Sequence, residues 1–398
     1  MMVGTVAVVE LRVTATARDG AGIARADDGR VVFVEGALPG EVVSVDIVQT
    51  DRRWSRAQTV QVLTASADRV PVTCAHRLDG CGGCDLLHVG RSGQQQMKMA
   101  MALEQLTRLG IEPPAPSFRP LVDDAGRTSA RAGVTGGRAG FRQRASHSVV
   151  AIDSCGALDP LLEELLVDGR FPESGTVWGR VGNRTGERLV VVDRGADEVQ
   201  VPDDVQVVSE GDLSAGKRVW IHEEVAGFRF RISANAFFQN RPAGADALVA
   251  EVAGMLDGAA PGPLIDAYSG VGLFSATVAN GRPVVAIERN ADSIADARIN
   301  LRGVAGKVVR SDVARWRPSA AAAIVADPAR EGLGERATHT LLRAEPEVLV
   351  LVSCDLSAFA RDAQRLQSLG MALEGWTVID LFPDSSHVEV VAKFVASR

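Results

Sequence analysis

The chain has 398 residues, of which 46% are hydrophobic and 23% are charged. This composition is typical of a globular protein and excludes disorder as the main state. No apolar run approaches the roughly 18 residues of a membrane span, and the longest is Ala320–Ala326. The start Met1-Met2-Val3-Gly4 lacks a basic segment followed by an apolar run, so we expect no secretory signal and a cytoplasmic location. The net charge of −7 argues against a protein that coats nucleic acid by bulk charge.

The first 65 residues contain short apolar runs separated by turn residues. The runs that predict strands are Val6–Val13, Arg30–Val34, Val42–Val48 and Thr59–Leu63. Four or five short strands in this space favour a small closed barrel, because closure leaves no exposed edge. The segments Gly20–Arg25 and Val34–Glu41 resemble a TRAM domain, an RNA-binding barrel of the oligonucleotide-binding (OB) type. A barrel that serves only as a structural cap is the alternative.

The chain has an odd number of cysteines, five in all: Cys74, Cys81, Cys84, Cys155 and Cys354. In a chain without an export signal, this number argues against a disulfide framework and favours metal binding or catalysis. A helix is predicted from about Gln94 to Leu109, and a proline-rich break follows it.

From about Phe237 the pattern changes to apolar runs that alternate with helical segments. The runs are Leu264–Tyr268, Val284–Glu288, Ala322–Asp327 and Leu349–Ser353. Such alternation predicts a parallel, doubly wound sheet. The predicted fold is therefore α/β, with an N-terminal barrel (residues 1–65), a small central α+β domain (66–235) and a Rossmann-like domain (236–398).

A glycine motif, Asp266-Ala267-Tyr268-Ser269-Gly270-Val271-Gly272, lies between a predicted strand and a helix. Glycines there let a cofactor approach the backbone and the helix amides. Glu288 ends the next strand, where an acid can accept both ribose hydroxyls. Position 275 is Ser rather than the third glycine of a dinucleotide site, which speaks against a dehydrogenase. The motif is similar to that of S-adenosylmethionine-dependent methyltransferases.

Three further segments carry polar groups at the ends of apolar strands. Asp327-Pro328 follows one strand, and a residue before proline is biased to an extended backbone. Cys354 follows another strand and precedes a helix, whose N-terminus would stabilise a thiolate. His387 and Glu389 alternate along a C-terminal strand, so we expect their side chains on one face.

Together these motifs resemble the RNA uracil-5 methyltransferase family over nearly the whole chain. The motifs that carry the resemblance are the TRAM-like barrel, Cys74–Asp85, Gly140–Arg144 with Ser146-His147, Ile152–Cys155, Asn235–Asn240, the glycine motif, Asp327–Gly334, Ser353-Cys354-Asp355 and His387–Glu389. The resemblance implies a class I methyltransferase that forms 5-methyluridine. One departure is that Leu356 stands where the family usually has a proline, two residues after the cysteine.

The resemblance also implies roles for single residues. Cys354 would be the nucleophile that adds to uracil C6, and Glu389 the base that removes the C5 proton. Gln239, Tyr268, Glu288 and Asp327 would line the pocket for S-adenosylmethionine or the base, and Asp312 would lie near the adenine. Cys74, Cys81, Cys84 and Cys155 match the four ligands of a [4Fe–4S] cluster. A four-cysteine zinc site is the rival, because Cys-x2-Cys spacing suits zinc as well.

Two segments combine arginines with an aromatic residue, a pattern suited to unpaired bases in RNA. They are Arg52-Arg53-Trp54-Ser55-Arg56 in the barrel and Arg127–His147, which contains Phe141 and five arginines. The expected partner is RNA, ribosomal (23S) rather than transfer RNA, and we expect a monomer that makes no membrane contact. A non-catalytic RNA-binding protein that retains the fold is the alternative.

Overall fold

The computed structural model describes residues 9–121 and 125–397. The tetrapeptide Met1–Gly4 and the first residues of the predicted strand, Val6–Val8, lie outside them. The structure contains a closed barrel, a six-stranded sheet, a two-stranded hairpin and an eight-stranded sheet. Among the helices of these residues, none has the length and apolar character needed to cross a membrane.

The N-terminal barrel is closed by five strands in the order β1-β2-β3-β5-β4. They are β1 Val9–Thr16, β2 Gly22–Arg25, β3 Val31–Glu35, β4 Val42–Thr50 and β5 Trp54–Thr64. Their inward-facing residues, among them Leu11, Val32 and Val43, form the core of the barrel. Register shifts between β4 and β5 bend these long strands around it. The prediction of a small closed barrel is confirmed.

The middle of the chain builds a six-stranded sheet in the order β12-β11-β10-β7-β8-β9 and a hairpin of β13 and β14. The strands of the sheet are β7 Ser129–Thr135, β8 Arg138–Arg142, β9 Val149–Ala151, β10 Ser174–Val181, β11 Arg188–Val192 and β12 Gln206–Ser209, and those of the hairpin are β13 Trp220–Val225 and β14 Phe228–Ser233. Its helices are α1 Ala75–Leu78, α2 Arg91–Thr107, α3 Pro160–Val167 and α4 Glu210–Ser214, with a 3-10 turn at Ala196–Glu198. Helix α3 packs its leucines against this sheet.

The C-terminal part is dominated by an eight-stranded sheet in the order β17-β16-β15-β18-β19-β21-β20-β6. Its strands are β15 Leu264–Ala267, β16 Val284–Glu288, β17 Gly306–Arg310, β18 Ala323–Ala326, β19 Val348–Ser353, β20 Met371–Ile379, β21 Glu389–Ala396 and, from before the central sheet, β6 Ser117–Arg119. Its helices are α5 Pro242–Leu256, α6 Leu273–Thr277, α7 Ala291–Asn300, α8 Gly334–Leu342 and α9 Leu356–Ser368, with a 3-10 turn at Val313–Arg315.

Five strands of this sheet are parallel, β15 to β19, and the doubly wound prediction is confirmed. Alternate residues belong to different cores: Leu264 packs with α5 on one face, and Ile265 packs with α9 on the other. Because both faces are covered, the strands read as continuous apolar runs. The chain runs outward from β15 in one direction and from β18 in the other, which opens a crevice at their carboxyl ends.

Helix α2 is linked to the eight-stranded sheet of the C-terminal part by a buried ion pair. Lys98 on α2 is fully buried, and its ammonium group donates to Asp380 Oδ1 at 2.5 Å and to the Phe382 carbonyl at 2.9 Å. Asp380 follows β20 and begins the loop that leads to β21. A buried charge of this kind is tolerated only while it keeps its partner.

We therefore expect Lys98→Met to destabilise the protein by about 3 kcal/mol, because the carboxylate of Asp380 would remain buried without its partner. The midpoint of urea unfolding measures this change. Arg108→Met is the matched control on the same helix, since Arg108 and Glu104 form an exposed pair. It should change stability by less than about 0.5 kcal/mol. Equal effects of both substitutions would contradict the prediction.

Candidate active site at the carboxyl edge of the sheet

Cys354 and Glu389 face each other across two neighbouring strands. Strand β19 ends at Ser353 and β21 begins at Glu389, and Ser353 is paired with Val390. Because the two strands are antiparallel, Cys354 just after β19 and Glu389 at the start of β21 lie at the same end of this ladder, and Glu389 is close enough to influence the thiol. Glu389 is 3% exposed, whereas Cys354 keeps part of its surface open.

Asp327 joins this pair from the other side of β19. It follows β18, which lies beside β19 in the sheet, and its Oδ2 accepts a hydrogen bond from Gln239 Nε2 at 3.4 Å. The carboxyl groups of Asp327 and Glu389 are close enough for each to influence the other and the Cys354 thiol. One edge of the sheet thus brings together a thiol, two carboxyl groups and an amide.

Burial dominates the protonation of this group. It raises the pKa of Glu389 well above its ordinary value, and the charge of Asp327 adds to the effect. Burial and the charge of Asp266 raise the pKa of Asp327 to about 7. The pKa of Cys354 rises to about 12, through burial first and then Glu389 and Asp327, while Arg330 opposes the shift. Without a ligand, Cys354 is therefore a thiol. The expectation that the helix N-terminus would stabilise a thiolate is outweighed by burial and two acidic neighbours.

The positions of His387 and Glu389 differ from the predicted alternation along one strand. Strand β21 begins only at Glu389, so His387 lies in the preceding loop and is exposed. Its ring packs edge-on against Phe382 at 5.9 Å. Side chains alternate regularly only within a strand, which is why the spacing failed to predict their relation.

The glycine motif forms a tight turn between β15 and α6. Tyr268 has a φ of +63°, and Gly270 and Gly272 follow at +53° and +95°. Asp266 is fully buried, and its Oδ2 accepts from the amide and the hydroxyl of Ser275 at 2.8 and 2.6 Å. Its Oδ1, like Ser269 Oγ, is buried and has no hydrogen-bond partner among the described residues. Two such atoms in one turn suit a bound polar ligand.

Three of the predicted cofactor residues, Tyr268, Glu288 and Asp312, lie just after or at the ends of β15, β16 and β17, whereas Gln239 precedes α5 and Asp327 follows β18. Glu288 Oε1 accepts the amides of Arg289 and Asn290 at 2.7 Å, and Oε2 accepts the amide of Gly270 at 3.0 Å. Only Oε2 therefore has a lone pair left for a ligand. Burial raises the pKa of Tyr268 to about 12, and nearby Asp312 contributes. Asp312 is exposed and accepts the Ala314 amide at 2.8 Å.

Asp266 and Arg330 are two residues of this edge that did not appear among the predicted site residues. The position of Asp266, at the first place of the glycine motif and the end of an apolar strand, was the available signal. Arg330 lies three residues after Asp327, and its charge lowers the pKa of both Cys354 and His387.

The four cysteines of the central region come together although they are far apart in sequence. Cys74 and Cys81 lie close enough to Cys155 to raise its pKa, and Cys81 and Cys155 have the same effect on the pKa of Cys84. Hydrogen bonds join the segments that carry them. The Gly82 amide donates to the Arg142 carbonyl at 3.0 Å, and the ring nitrogen Nε2 of His76 lies 2.8 Å from Asp153 Oδ1. Within residues 9–121 and 125–397, no group of three or more His, Cys, Asp or Glu side chains has an arrangement that could hold a metal ion.

The two arginine segments are partly engaged by acids. Arg131 pairs with Glu210 at 2.9 Å, and Arg144 pairs with Glu35 of the barrel at 3.3 Å. In the barrel, Trp54 packs edge-on against Phe33 at 6.3 Å, and the Arg56 guanidinium lies over the same ring. These contacts hold the aromatic rings in fixed orientations.

The raised pKa of Asp327 predicts a pH-dependent gain in stability for Asp327→Asn. The carboxyl group titrates near 3.8 when unfolded and at about 7 when folded. Folding is therefore penalised as the pH rises through this window. We expect the variant to be more stable than the wild type by about 2 kcal/mol at about pH 8, with a gain that disappears toward about pH 4.

Urea unfolding at several pH values measures this gain. Asp28→Asn is the control, because Arg30 lowers the pKa of the exposed Asp28 and its removal should give no gain at high pH. A variant that is no more stable than the wild type at high pH would refute the burial of an unfavourable charge at Asp327.

Comparison with known proteins supplies the family. A TRAM domain model matches residues 3–60. An uncharacterized RNA methyltransferase of Corynebacterium glutamicum is 31% identical over 98% of this chain and 97% of its own length. Another, from Streptomyces avermitilis, is 32% identical over 96% of this chain and 97% of its own length.

The fold also matches a solved structure. The tRNA (uracil-54, C5)-methyltransferase of Pyrococcus abyssi, crystallised in complex with S-adenosyl-L-homocysteine, has a TM-score of 0.75 to this chain. The match covers 97% of this chain and 100% of the other, at 23% identity. This likeness shows that the two chains share their fold along nearly their whole length. With relatives above 30% identical along nearly its full length, the chain belongs to the RNA methyltransferase family.

Proposed function

We propose that this protein is an S-adenosylmethionine-dependent methyltransferase that forms 5-methyluridine in RNA, with Cys354 as nucleophile and Glu389 as base. The observation that carries the proposal is the pairing of β19 with β21, which sets Cys354 opposite a buried carboxyl group. This pair of groups is what methylation at pyrimidine C5 requires, since that carbon must first be made nucleophilic and later lose a proton.

The glycine turn is the proposed cofactor site. S-adenosylmethionine would supply an electrophilic methyl group on its sulfonium. The unpartnered Asp266 Oδ1 and Ser269 Oγ offer hydrogen-bonding capacity to it, and Glu288 Oε2 is available for a ribose hydroxyl. Tyr268, Asp312, Gln239 and Asp327 complete the proposed pocket. The S-adenosyl-L-homocysteine bound by the Pyrococcus abyssi enzyme of the same fold supports this choice of cofactor.

The residues of this chain would act in two stages. In the first, Cys354 Sγ bonds to C6 of uracil while ionised Asp327 takes the thiol proton, and the electrons of the C5–C6 double bond make C5 nucleophilic. In the second, after C5 takes the methyl group, Glu389 in its ionised form takes the C5 proton, the C5–C6 double bond re-forms, and Cys354 leaves as a thiolate that recovers the proton held by Asp327. Burial gives Glu389 the high proton affinity that this second stage needs.

The substrate must be an RNA base that leaves its stack. Cys354 lies at the end of a strand between packed elements, so a stacked uracil cannot reach it without flipping. The arginines around Trp54 and Phe141 offer contacts to phosphates and to unpaired bases. Following the sequence-based expectation, we propose ribosomal RNA as the target, and the tRNA activity in the name of the Pyrococcus abyssi enzyme makes transfer RNA the alternative to test.

For Cys74, Cys81, Cys84 and Cys155 we propose a [4Fe–4S] cluster. A single zinc ion needs four sulfurs at about 2.3 Å from one point. A cluster takes one thiolate at each of four irons, so its ligands stand further apart. What supports the proposal is the match of these four cysteines to the family's ligand set and the proximity of Cys155 to Cys74, Cys81 and Cys84 in the fold. Its proposed role is structural or in RNA contact, because methyl transfer involves no redox step.

The test of the proposed function is methyl transfer from labelled S-adenosylmethionine to ribosomal and transfer RNA that lack 5-methyluridine, with the product identified by nucleoside mass spectrometry. Cys354→Ala should abolish transfer and still bind the cofactor. Glu389→Gln should accumulate a covalent RNA adduct, because addition proceeds and C5 deprotonation stalls. Wild-type protein should form a stable adduct with RNA that contains 5-fluorouridine.

Several outcomes would contradict this proposal. Turnover by Cys354→Ala would remove Cys354 as the nucleophile, and wild-type turnover by Glu389→Gln would assign the base to another group. RNA binding without any methyl transfer by the wild-type protein would support the non-catalytic alternative.

The cluster makes a separate prediction. Protein purified without oxygen should be brown and contain about four iron atoms per chain. Cys155→Ser should lose the colour and weaken RNA binding more than S-adenosylmethionine binding, because Cys155 belongs to the central region rather than the glycine turn. Colourless protein with one zinc ion would refute the cluster and leave the methyltransferase proposal intact.

A further inference from the structure

The first turn of the barrel touches the helix that follows Cys354. This turn, Ala17–Ala21, joins β1 to β2 and is called the barrel turn here. Arg18 Nη1 donates to Ser357 Oγ at 2.8 Å and lies 3.7 Å from Asp355 Oδ2. An element nearly 340 residues away in sequence thus reaches the first and the third residue after the proposed nucleophile.

These two residues determine how α9 begins. Asp355 caps the helix, and its Oδ1 accepts the Ala358 amide at 2.8 Å. Ser357 Oγ donates to Gln105 Oε1 of α2 at 3.2 Å while it accepts from Arg18. No proline restricts the backbone after Asp355, so side-chain contacts must define the turn that carries Cys354. The barrel, α2 and α9 meet at Ser357.

The barrel turn also packs against the loop that carries the proposed base. Gly20 has a φ of +82°, and a Cβ atom there would lie 3.3 Å from Ser386 Cβ and 3.3 Å from Leu86 Cδ2. Ser386 precedes Glu389 by three residues, and its amide and hydroxyl donate to Asp85 at 2.8 and 2.7 Å. The same turn therefore contacts both segments that lead to the catalytic edge.

The barrel turn is itself held in shape. The Arg56 guanidinium donates to Asp19 Oδ2 at 3.0 Å, and the Ala17 amide donates to the Ala21 carbonyl at 2.7 Å. Because these contacts fix the conformation of the turn, the barrel determines where Arg18 and Gly20 lie relative to the groups that they contact.

We propose that Arg18 is a positioning residue for Cys354, so that the barrel completes the active site as well as binding RNA. This inference rests on the proposed role of Cys354. Arg18 acts through Ser357 and Asp355, which hold the first turn of α9 and with it the direction of the thiol. Small displacements of a reacting group are costly, since about 1 Å can lower a rate by about a hundredfold.

The side chain of Arg18 is 59% exposed, so contact with RNA is the competing role. The two roles predict different kinetics. For positioning, Arg18→Met should lower the single-turnover rate with saturating RNA by about tenfold and leave the KM for RNA within about twofold. Arg18→Lys, which can still donate to Ser357, should recover most of the rate. A raised KM with an unchanged single-turnover rate would assign Arg18 to RNA binding and overturn the proposal.

Arg30→Met is the matched control. Arg30 is a barrel arginine whose ion pair with Asp28, at 2.6 Å, stays within its own hairpin. Its removal should leave the single-turnover rate unchanged. Ser357→Ala should lower the rate as Arg18→Met does, and the double variant should be no worse than the more affected single variant, because both remove the same contact. Additive losses would overturn the coupling of Arg18 to α9.

A second readout does not depend on turnover. Alkylation of Cys354 by iodoacetamide, followed by peptide mass spectrometry in the RNA-free protein, reports the accessibility of the thiol. Arg18→Met should change this rate by at least about threefold and Arg30→Met should not. Unchanged alkylation in Arg18→Met would overturn the positioning role. If alkylation changes as expected and Cys354→Ala still methylates RNA, the contact stands and the proposed nucleophile falls.

Discussion

The hydrogen-bonded ladder between β19 and β21 is the constraint on which the candidate site depends. Because β21 runs against β19, it begins at the edge where the parallel strands end, and its first residue, Glu389, meets the residue after β19. Reversal of either strand would separate the thiol from the carboxyl group by the length of the sheet. The glycine turn after β15 opens at the same edge because β15 and β18 are parallel neighbours in the sheet.

The electrostatics of this edge follow from its burial. Asp266, Asp327 and Glu389 are acids in an environment that favours their neutral forms, and each raises the proton affinity of its neighbours. Such a site is costly for folding, which is common where a protein holds groups for chemistry. The same burial that raises the pKa of Glu389 also keeps Cys354 a thiol.

Long-range polar contacts join the three parts of the chain around this edge. Lys98 of α2 holds Asp380 at the start of the loop that leads to β21, and Asp85, next to Cys84, holds Ser386 near its end. Gln94 adds a bond to Asp384 in the same loop. The segment that leads to Glu389 is thus anchored by the central region, and the segment that follows Cys354 touches the barrel.

The sequence by itself determined most strands of the barrel and of the parallel sheet, the glycine turn and, through its family resemblance, the class of chemistry. Runs such as Val284–Glu288 coincide with the observed strand, because a parallel strand covered on both faces must be apolar throughout. Only the tertiary structure decided that Glu389 faces Cys354, that His387 leaves the strand, and that Arg18 reaches Ser357. These relations join residues far apart along the chain, and such contacts leave no periodic pattern in it. The proton affinities were decided there as well, because they depend on burial and on neighbours that only the fold assembles.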